Sequence, residues 1–171
     1  MRRLVIDLDL DKCAACGACA VACMDQNDVD AQCSSDMLRK IGVIEKGSGM
    51  DAVITYMSIA CMHCNNAPCI NACPCACISK DPDTGFIVFD NANCIGCRSC
   101  SMACPFSAPT FNDEGKMIKC DGCNTRVKYG LEPACVRVCP FGALSLVEES
   151  RALKARESKT LASISRAIYD D

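Results

Sequence analysis

Sixteen of the nineteen cysteines in this 171-residue chain fall into four groups of four, and any fold it adopts must satisfy that pattern. Group one is Cys13, Cys16, Cys19 and Cys23, and group two is Cys61, Cys64, Cys69 and Cys73. Group three is Cys94, Cys97, Cys100 and Cys104, and group four is Cys120, Cys123, Cys135 and Cys139. Groups one and three read C-x2-C-x2-C-x3-C. Every group but the first closes on Cys-Pro (Pro74, Pro105, Pro140), where the first has Met24. The hydrophobic content of 50% is inflated by cysteine and alanine, and five Phe, three Tyr and no Trp leave no large aromatic core. Metal ligation must therefore supply much of the folding free energy.

The C-x2-C-x2-C-x3-C spacing is that of bacterial ferredoxins holding [4Fe–4S] clusters. A cubane has iron at alternate corners, so three cysteines two residues apart on a tight loop can each reach a different iron. The x3 step then opens a helix and carries the fourth cysteine toward a neighbouring cluster. Proline after it offers no N–H and turns the chain away. Sixteen thiolates at four per cubane imply four clusters. A disulfide framework would need an oxidising compartment, and zinc ribbons do not use this spacing.

Charge narrows the partners. The formal charge is −3 with thiols neutral; sixteen thiolates subtract 16 and four oxidised cores return 8, giving about −11. Nucleic acid is excluded on that balance. Lys12, Arg98, Lys119, Arg126, Lys128 and Arg137 lie in or beside the motifs, and surface solvation is the simplest reading of each. Arg2-Arg3 is followed by an acidic run, not an apolar export region. No stretch approaches the roughly 20 apolar residues of a membrane helix. The expectation is a soluble, cytoplasmic protein without an export signal of its own, or one carried by a signal-bearing partner.

The chain repeats itself in the order A, B, A, B. Asp9 and Asp90 each stand four residues before the first cysteine of their group, and Cys61-x2-Cys64-Asn65 corresponds to Cys120-x2-Cys123-Asn124. Pro68 and Pro133 each precede a third cysteine, and group four inserts Thr125–Leu131. Strands are expected at 3–8, 53–58, 86–90 and 143–147, with Asp81-Pro-Asp-Thr-Gly85 as a hairpin turn. Each x3 step should open a short helix. The stretch 24–50, with Gly42, Gly47 and Gly49, reads as loop. Residues 148–168 read as a terminal helix with an apolar stripe of Leu153, Leu161, Ile164 and Ile168, facing its own domain or a partner. The fold class is α+β, two ferredoxin-like modules nested one in the other. Residues 1–50 with 105–147 form the outer module, 51–104 the inserted one, and 148–171 the tail.

The runs Cys61-Met-His-Cys-Asn-Asn-Ala-Pro-Cys, Gly85-Phe-Ile-Val, Cys94-Ile-Gly-Cys-Arg, Met-Ala-Cys-Pro-Phe and Lys119-Cys-Asp-Gly-Cys resemble the four-cluster electron-transfer subunits of the dimethyl sulfoxide reductase family. Related subunits serve formate dehydrogenases, polysulfide, thiosulfate and nitrate reductases, and formate-linked hydrogenases. The resemblance covers about residues 3–147 and implies crossed quartets. One cluster would take Cys13, Cys16, Cys19 and Cys139, and its neighbour Cys120, Cys123, Cys135 and Cys23. The other pair would take Cys61, Cys64, Cys69 with Cys104, and Cys94, Cys97, Cys100 with Cys73. Because Cys100 is present, four [4Fe–4S] clusters are implied. So are a molybdenum- or tungsten-pterin catalytic subunit and a second redox subunit (flavin, iron–sulfur or membrane quinone-linked).

This chain is short for that family and shows no membrane-anchoring helix, which suggests a soluble or peripheral complex of formate dehydrogenase or hydrogenase type. Cys75 and Cys77 depart from the pattern and read as buried small hydrophobes, and Cys33 as a free thiol. His63, the single histidine, reads as a hydrogen-bonding residue near a cluster sulfur. No catalytic constellation is present, so the chain is expected to be a non-catalytic relay. The other readings are a freely diffusing polyferredoxin and a filament-forming, electron-conducting subunit.

Overall fold

The structure, a computed structural model, describes residues 3–29 and 37–169, with side chains through 162. Cys33, Ile164 and Ile168 therefore lie outside the described side chains, as does Arg2. Among the described residues the fold is α+β, with four two-stranded antiparallel ribbons and mostly short helices, each ribbon too small to be stable alone.

β1 (Leu4–Leu8) and β8 (Leu144–Glu148) pair in register Leu4↔Glu148 to Leu8↔Leu144, so the two ends of the cysteine-bearing region meet. β3 (Val53–Ile59) and β5 (Ile87–Phe89) complete the four strands expected from sequence. β5 pairs with β4 (Ile78–Lys80) across the Asp81–Gly85 turn, closed by Asp81 N–H to Phe86 O at 2.8 Å. β6 (Thr110–Phe111) and β7 (Met117–Ile118) form the last ribbon.

The stretch 24–50 is not the loop its glycines suggested. α1 (Ala18–Gln26) runs into it, and β2 (Lys40–Lys46) pairs along its whole length with β3. Ile41, Val43 and Ile44 supply β-branched strand formers. Gly42 makes room across the ribbon, since a Cβ there would sit 2.9 Å from Met57 Cγ.

A helix opens at the third cysteine of every group: α1 at Cys19, α2 (Pro68–Asn71) at Cys69, α3 (Ser99–Ala103) at Cys100 and α5 (Ala134–Arg137) at Cys135. α1 packs on α5, and α2 on α3. The insertion in group four forms its own helix, α4 (Asn124–Lys128). Three small cores result, and all contain cysteines: Cys69 and Cys100 in one, Cys19 and Cys135 in the second, Cys23 and Cys120 in the third.

The terminal helix α6 (Glu149–Tyr169) lies against β1 and β8. Its attachment is more polar than the apolar stripe implied. Ala152 is buried, but Leu153 and Leu161 are exposed at 58% and 60%. Arg3 pairs with Glu149, Arg156 Nη2 with Asp7 Oδ1 at 2.6 Å, and Lys159 Nζ with Asp9 Oδ1 at 3.2 Å. Among the described residues no helix is long and apolar enough to cross a membrane.

Candidate metal centres

The first C-x2-C step of each group turns through one left-handed residue, the second of the intervening pair. These are Ala15 (φ 52°), His63 (φ 44°), Gly96 (φ 67°) and Gly122 (φ 74°). The reversal keeps both thiols on the inside of a tight loop. Two of the four are not glycine, a conformation that costs roughly 1–2 kcal/mol and persists only where the surroundings hold it. Gly122 is constrained further, since a Cβ would lie 2.6 Å from the ring of Phe86, which is 0% exposed.

The Cys-Pro endings share a second device. Three residues after the fourth cysteine the backbone is again left-handed, at Ala76, Ser107 and Gly142. The next N–H then donates back to the cysteine sulfur: Cys77 to Cys73 Sγ at 3.3 Å, Ala108 to Cys104 Sγ at 3.5 Å, and Ala143 to Cys139 Sγ at 3.2 Å. Group one has Met24 instead of proline, so α1 continues past Cys23 to Gln26 and the Asn27 N–H donates to Met24 O at 3.2 Å. Asn27, four residues after Cys23, supplies its side-chain amide 3.6 Å from Cys23 Sγ. Donors aimed at sulfur favour thiolate and fit a metal–thiolate group.

Two cavities bring cysteines of different groups together. An apolar cavity is lined by Cys13, Cys16, Cys19 and Cys139. Its counterpart is lined by Cys94, Cys97 and Cys100 with Cys73, and Cys75 and Cys77 at its edge. Burial pushes the Cys23 thiol up to about 12, with Cys135 and Cys123 near enough to add to the effect. Burial likewise raises Cys120 to about 12, with Cys23 and Cys61 contributing. Cys61 is raised by burial and by Cys104 and Cys64, and Cys69 by burial and by Cys61 and Cys104. Cys97, through its hydrogen bonds with Ser99, and Cys139 are lowered instead. At Cys139 burial acts upward, but the N–H groups of Leu144, Ala143, Phe141 and Gly142 outweigh it and hold the thiol below its ordinary value.

All eighteen described cysteines are free. Among the described residues no three His, Cys, Asp or Glu side chains converge tightly enough for one metal ion. A tetrahedral zinc with Zn–S near 2.3 Å would bring sulfurs to about 3.8 Å of each other. Two of the thiol sets instead line cavities, and their donor set is all thiol, as a cluster with several irons requires.

His63 is buried at 2% exposure, and its Nδ1 accepts the Ile87 N–H at 2.9 Å. That bond leaves the ring proton on Nε2, 3.7 Å from Cys120 Sγ. Burial, then the cations Lys119, Arg39 and Arg3, push its pKa down to about 3, so the ring is a neutral donor. Of the six basic residues read as solvated, Lys119 is not: its side chain is 1% exposed. Buried Arg39 donates to Ser58 Oγ at 3.0 Å, and that hydroxyl lies 3.2 Å from Cys19 Sγ. Cys77 is buried in the position that Ala108 and Ala143 take in groups three and four. Cys75 is half-buried, not buried, in the position of Phe106 and Phe141.

Crossed thiol sets, sulfur-directed N–H donors and helix-borne third cysteines define an iron–sulfur protein of the 4Fe–4S ferredoxin type. Residues 52–149 match the model of the 4Fe-4S dicluster domain. The probable anaerobic dimethyl sulfoxide reductase chain YnfG of Escherichia coli (strain K12) is 40% identical, over 84% of this chain and 74% of its own length. The thiosulfate reductase electron transfer subunit PhsB of Salmonella typhi is 38% identical, over 80% and 71%. The nitrate-inducible formate dehydrogenase iron-sulfur subunit of Escherichia coli (strain K12) is 32% identical, over 89% of this chain and 56% of its own. The chain belongs to this family of iron–sulfur electron-transfer subunits, whose members are not the catalytic subunits.

Proposed function

We propose that this chain relays single electrons through four [4Fe–4S] clusters, between a molybdenum- or tungsten-pterin catalytic subunit and a second redox partner. The clusters take the crossed quartets: Cys13, Cys16, Cys19 with Cys139; Cys120, Cys123, Cys135 with Cys23; Cys61, Cys64, Cys69 with Cys104; and Cys94, Cys97, Cys100 with Cys73. The observation that carries the reading is the cavity lined by Cys13, Cys16, Cys19 and Cys139, a cysteine 120 positions further on than Cys19. The same lining recurs with Cys94, Cys97, Cys100 and Cys73. Packing of α1 on α5 and α2 on α3 favours two modules, 1–50 with 105–147 and 51–104.

Packing of Cys61 against the core that holds Cys23 and Cys120 favours a row in which the two modules meet at these cysteines. Each cluster, when bound, takes up and releases one electron. The chain's part is to fix the spacing, exclude water and hold N–H donors on the sulfurs. Relatives named as chains of dimethyl sulfoxide reductase favour a dedicated subunit over a free carrier. Anaerobic isolation from native cells is expected to yield this chain with a large pterin-containing chain whose substrate reduces or oxidises the clusters. Elution of the chain alone would contradict the assignment.

A further inference from the structure

Lys119 is a cation in the interior. It follows β7 and precedes Cys120, and its side chain is among the most deeply buried in the molecule. Its Nζ donates to the Cys120 carbonyl at 2.7 Å and to the Ile87 carbonyl on β5. The same nitrogen lies 4.0 Å from Cys61 Sγ and 5.9 Å from the centre of the Phe89 ring. Among the described residues no carboxylate pairs with it. Two neutral carbonyls satisfy its protons but not its charge, and a buried ammonium without an anion is strongly unfavourable. The nearest group that becomes an anion on ligating a cluster is the Cys61 sulfur.

The junction is asymmetric. Cys120 Sγ receives the N–H of a neutral imidazole, whereas Cys61 Sγ stands beside a full positive charge. The basic residue beside the neighbouring quartet differs again: Arg98, next to Cys97, is exposed and stacks on Phe111 at 4.9 Å. A cluster with four thiolates carries one more negative charge when reduced than when oxidised. A desolvated cation near one ligand therefore stabilises the reduced form more, and bulk salt screens it little.

We propose that Lys119 is a tuning residue that raises the reduction potential of the Cys61, Cys64, Cys69 and Cys104 cluster above that of its Cys94, Cys97, Cys100 and Cys73 neighbour. An electron crossing between the modules would then rest at the Cys61 cluster. This rests on the quartets proposed above.

The test is a redox titration, followed by electron paramagnetic resonance, of the full chain loaded anaerobically with iron and sulfide. Lys119→Gln is expected to keep the full iron content and lower one midpoint by at least tenfold in the reduction equilibrium, 59 mV for one electron. The signal that moves should be the one altered by Cys61→Ser, and Lys119→Arg should leave it in place. Four unmoved midpoints in fully loaded Lys119→Gln would overturn the inference and leave the quartets standing. Should Lys119→Gln fail to load, the unaltered chain still decides. There the signal altered by Cys61→Ser must titrate above the one altered by Cys94→Ser, and the reverse order overturns the inference. If Cys61→Ser and Cys104→Ser alter different signals, the quartet itself is wrong and the inference falls with it.

Discussion

Removing iron from the protein under anaerobic, reducing conditions is expected to unfold it, not to leave an empty native fold. The three cores are small, each includes buried cysteines, and the ribbons that frame them are two-stranded. Without metal, thiols such as Cys23 and Cys120, raised to about 12, stay protonated in the interior and contribute only as small apolar groups. Structural metal–thiolate sites contribute about 10 kcal/mol or more at neutral pH. A domain of this size has a total stability of only about 5–15 kcal/mol. Circular dichroism and amide exchange after chelation should show loss of the β1–β8 and β2–β3 protection together. A chelated chain that kept native-like exchange protection would contradict the dependence on metal.

The second large effect is expected at Asp81, in the turn between β4 and β5. Its Oδ1 accepts the N–H groups of Asp83 at 3.0 Å and Thr84 at 3.1 Å. Its Oδ2 accepts from Asn124 Nδ2 at 3.0 Å and from Lys128 at 2.6 Å, tying the turn to α4, whose Asn124 is 43 residues along the chain. Lys128 is 41% exposed, so solvent weakens that ion pair. The turn N–H groups and the Asn124 amide carry most of the effect, and Asp81→Ala should cost about 3 kcal/mol.

Burial alone would raise the Asp81 pKa, but Lys128, Asn124 and the N–H groups of Thr84 and Asp83 reverse it and hold the carboxyl well below the usual carboxylate range. A depressed native pKa means the contribution is fully present above about pH 4, the value in the unfolded chain, and lost as pH falls through the native value. Denaturation of the iron-loaded chains should show a constant gap between wild type and Asp81→Ala from pH 7 to 5. The gap should narrow below about pH 4, and a gap that widened there would refute the assignment.

The cysteine groups, the helix at each third cysteine and four strands were legible because spacing and periodicity are local properties. What escaped was tertiary or stereochemical. β2 was hidden by three glycines, one of which serves the pairing with β3 through the room it leaves for Met57. The left-handed turns at Ala15 and His63 carry no residue signature, since only Gly96 and Gly122 mark the repeat in composition. Asn27 stands in for the donor that the Cys-Pro turns supply from the backbone, and only the missing proline at Met24 hinted at it. Charge was the hardest to read. Lys119 and Lys128 are the same residue type near the same motif, yet one is 1% exposed and the other has a side chain 41% exposed. The difference lies in β5 and Phe89 folding over one and not the other. Leu153 and Leu161 show the reverse, an apolar spacing on α6 left facing solvent while ion pairs hold the helix.

Everything in this reading depends on the fourth thiol of each group leaving its own loop. Cys23 offers the sharpest trial, since it is four residues from Cys19 and about a hundred from Cys120 in sequence. Serine replacements at Cys13, Cys23 and Cys120 in the iron-loaded chain should be compared by redox-poised electron paramagnetic resonance. Cys23→Ser should alter the signal that Cys120→Ser alters and leave untouched the one that Cys13→Ser alters. If Cys23→Ser and Cys13→Ser disturb one and the same signal, the quartets do not cross and the proposed chain of clusters is wrong.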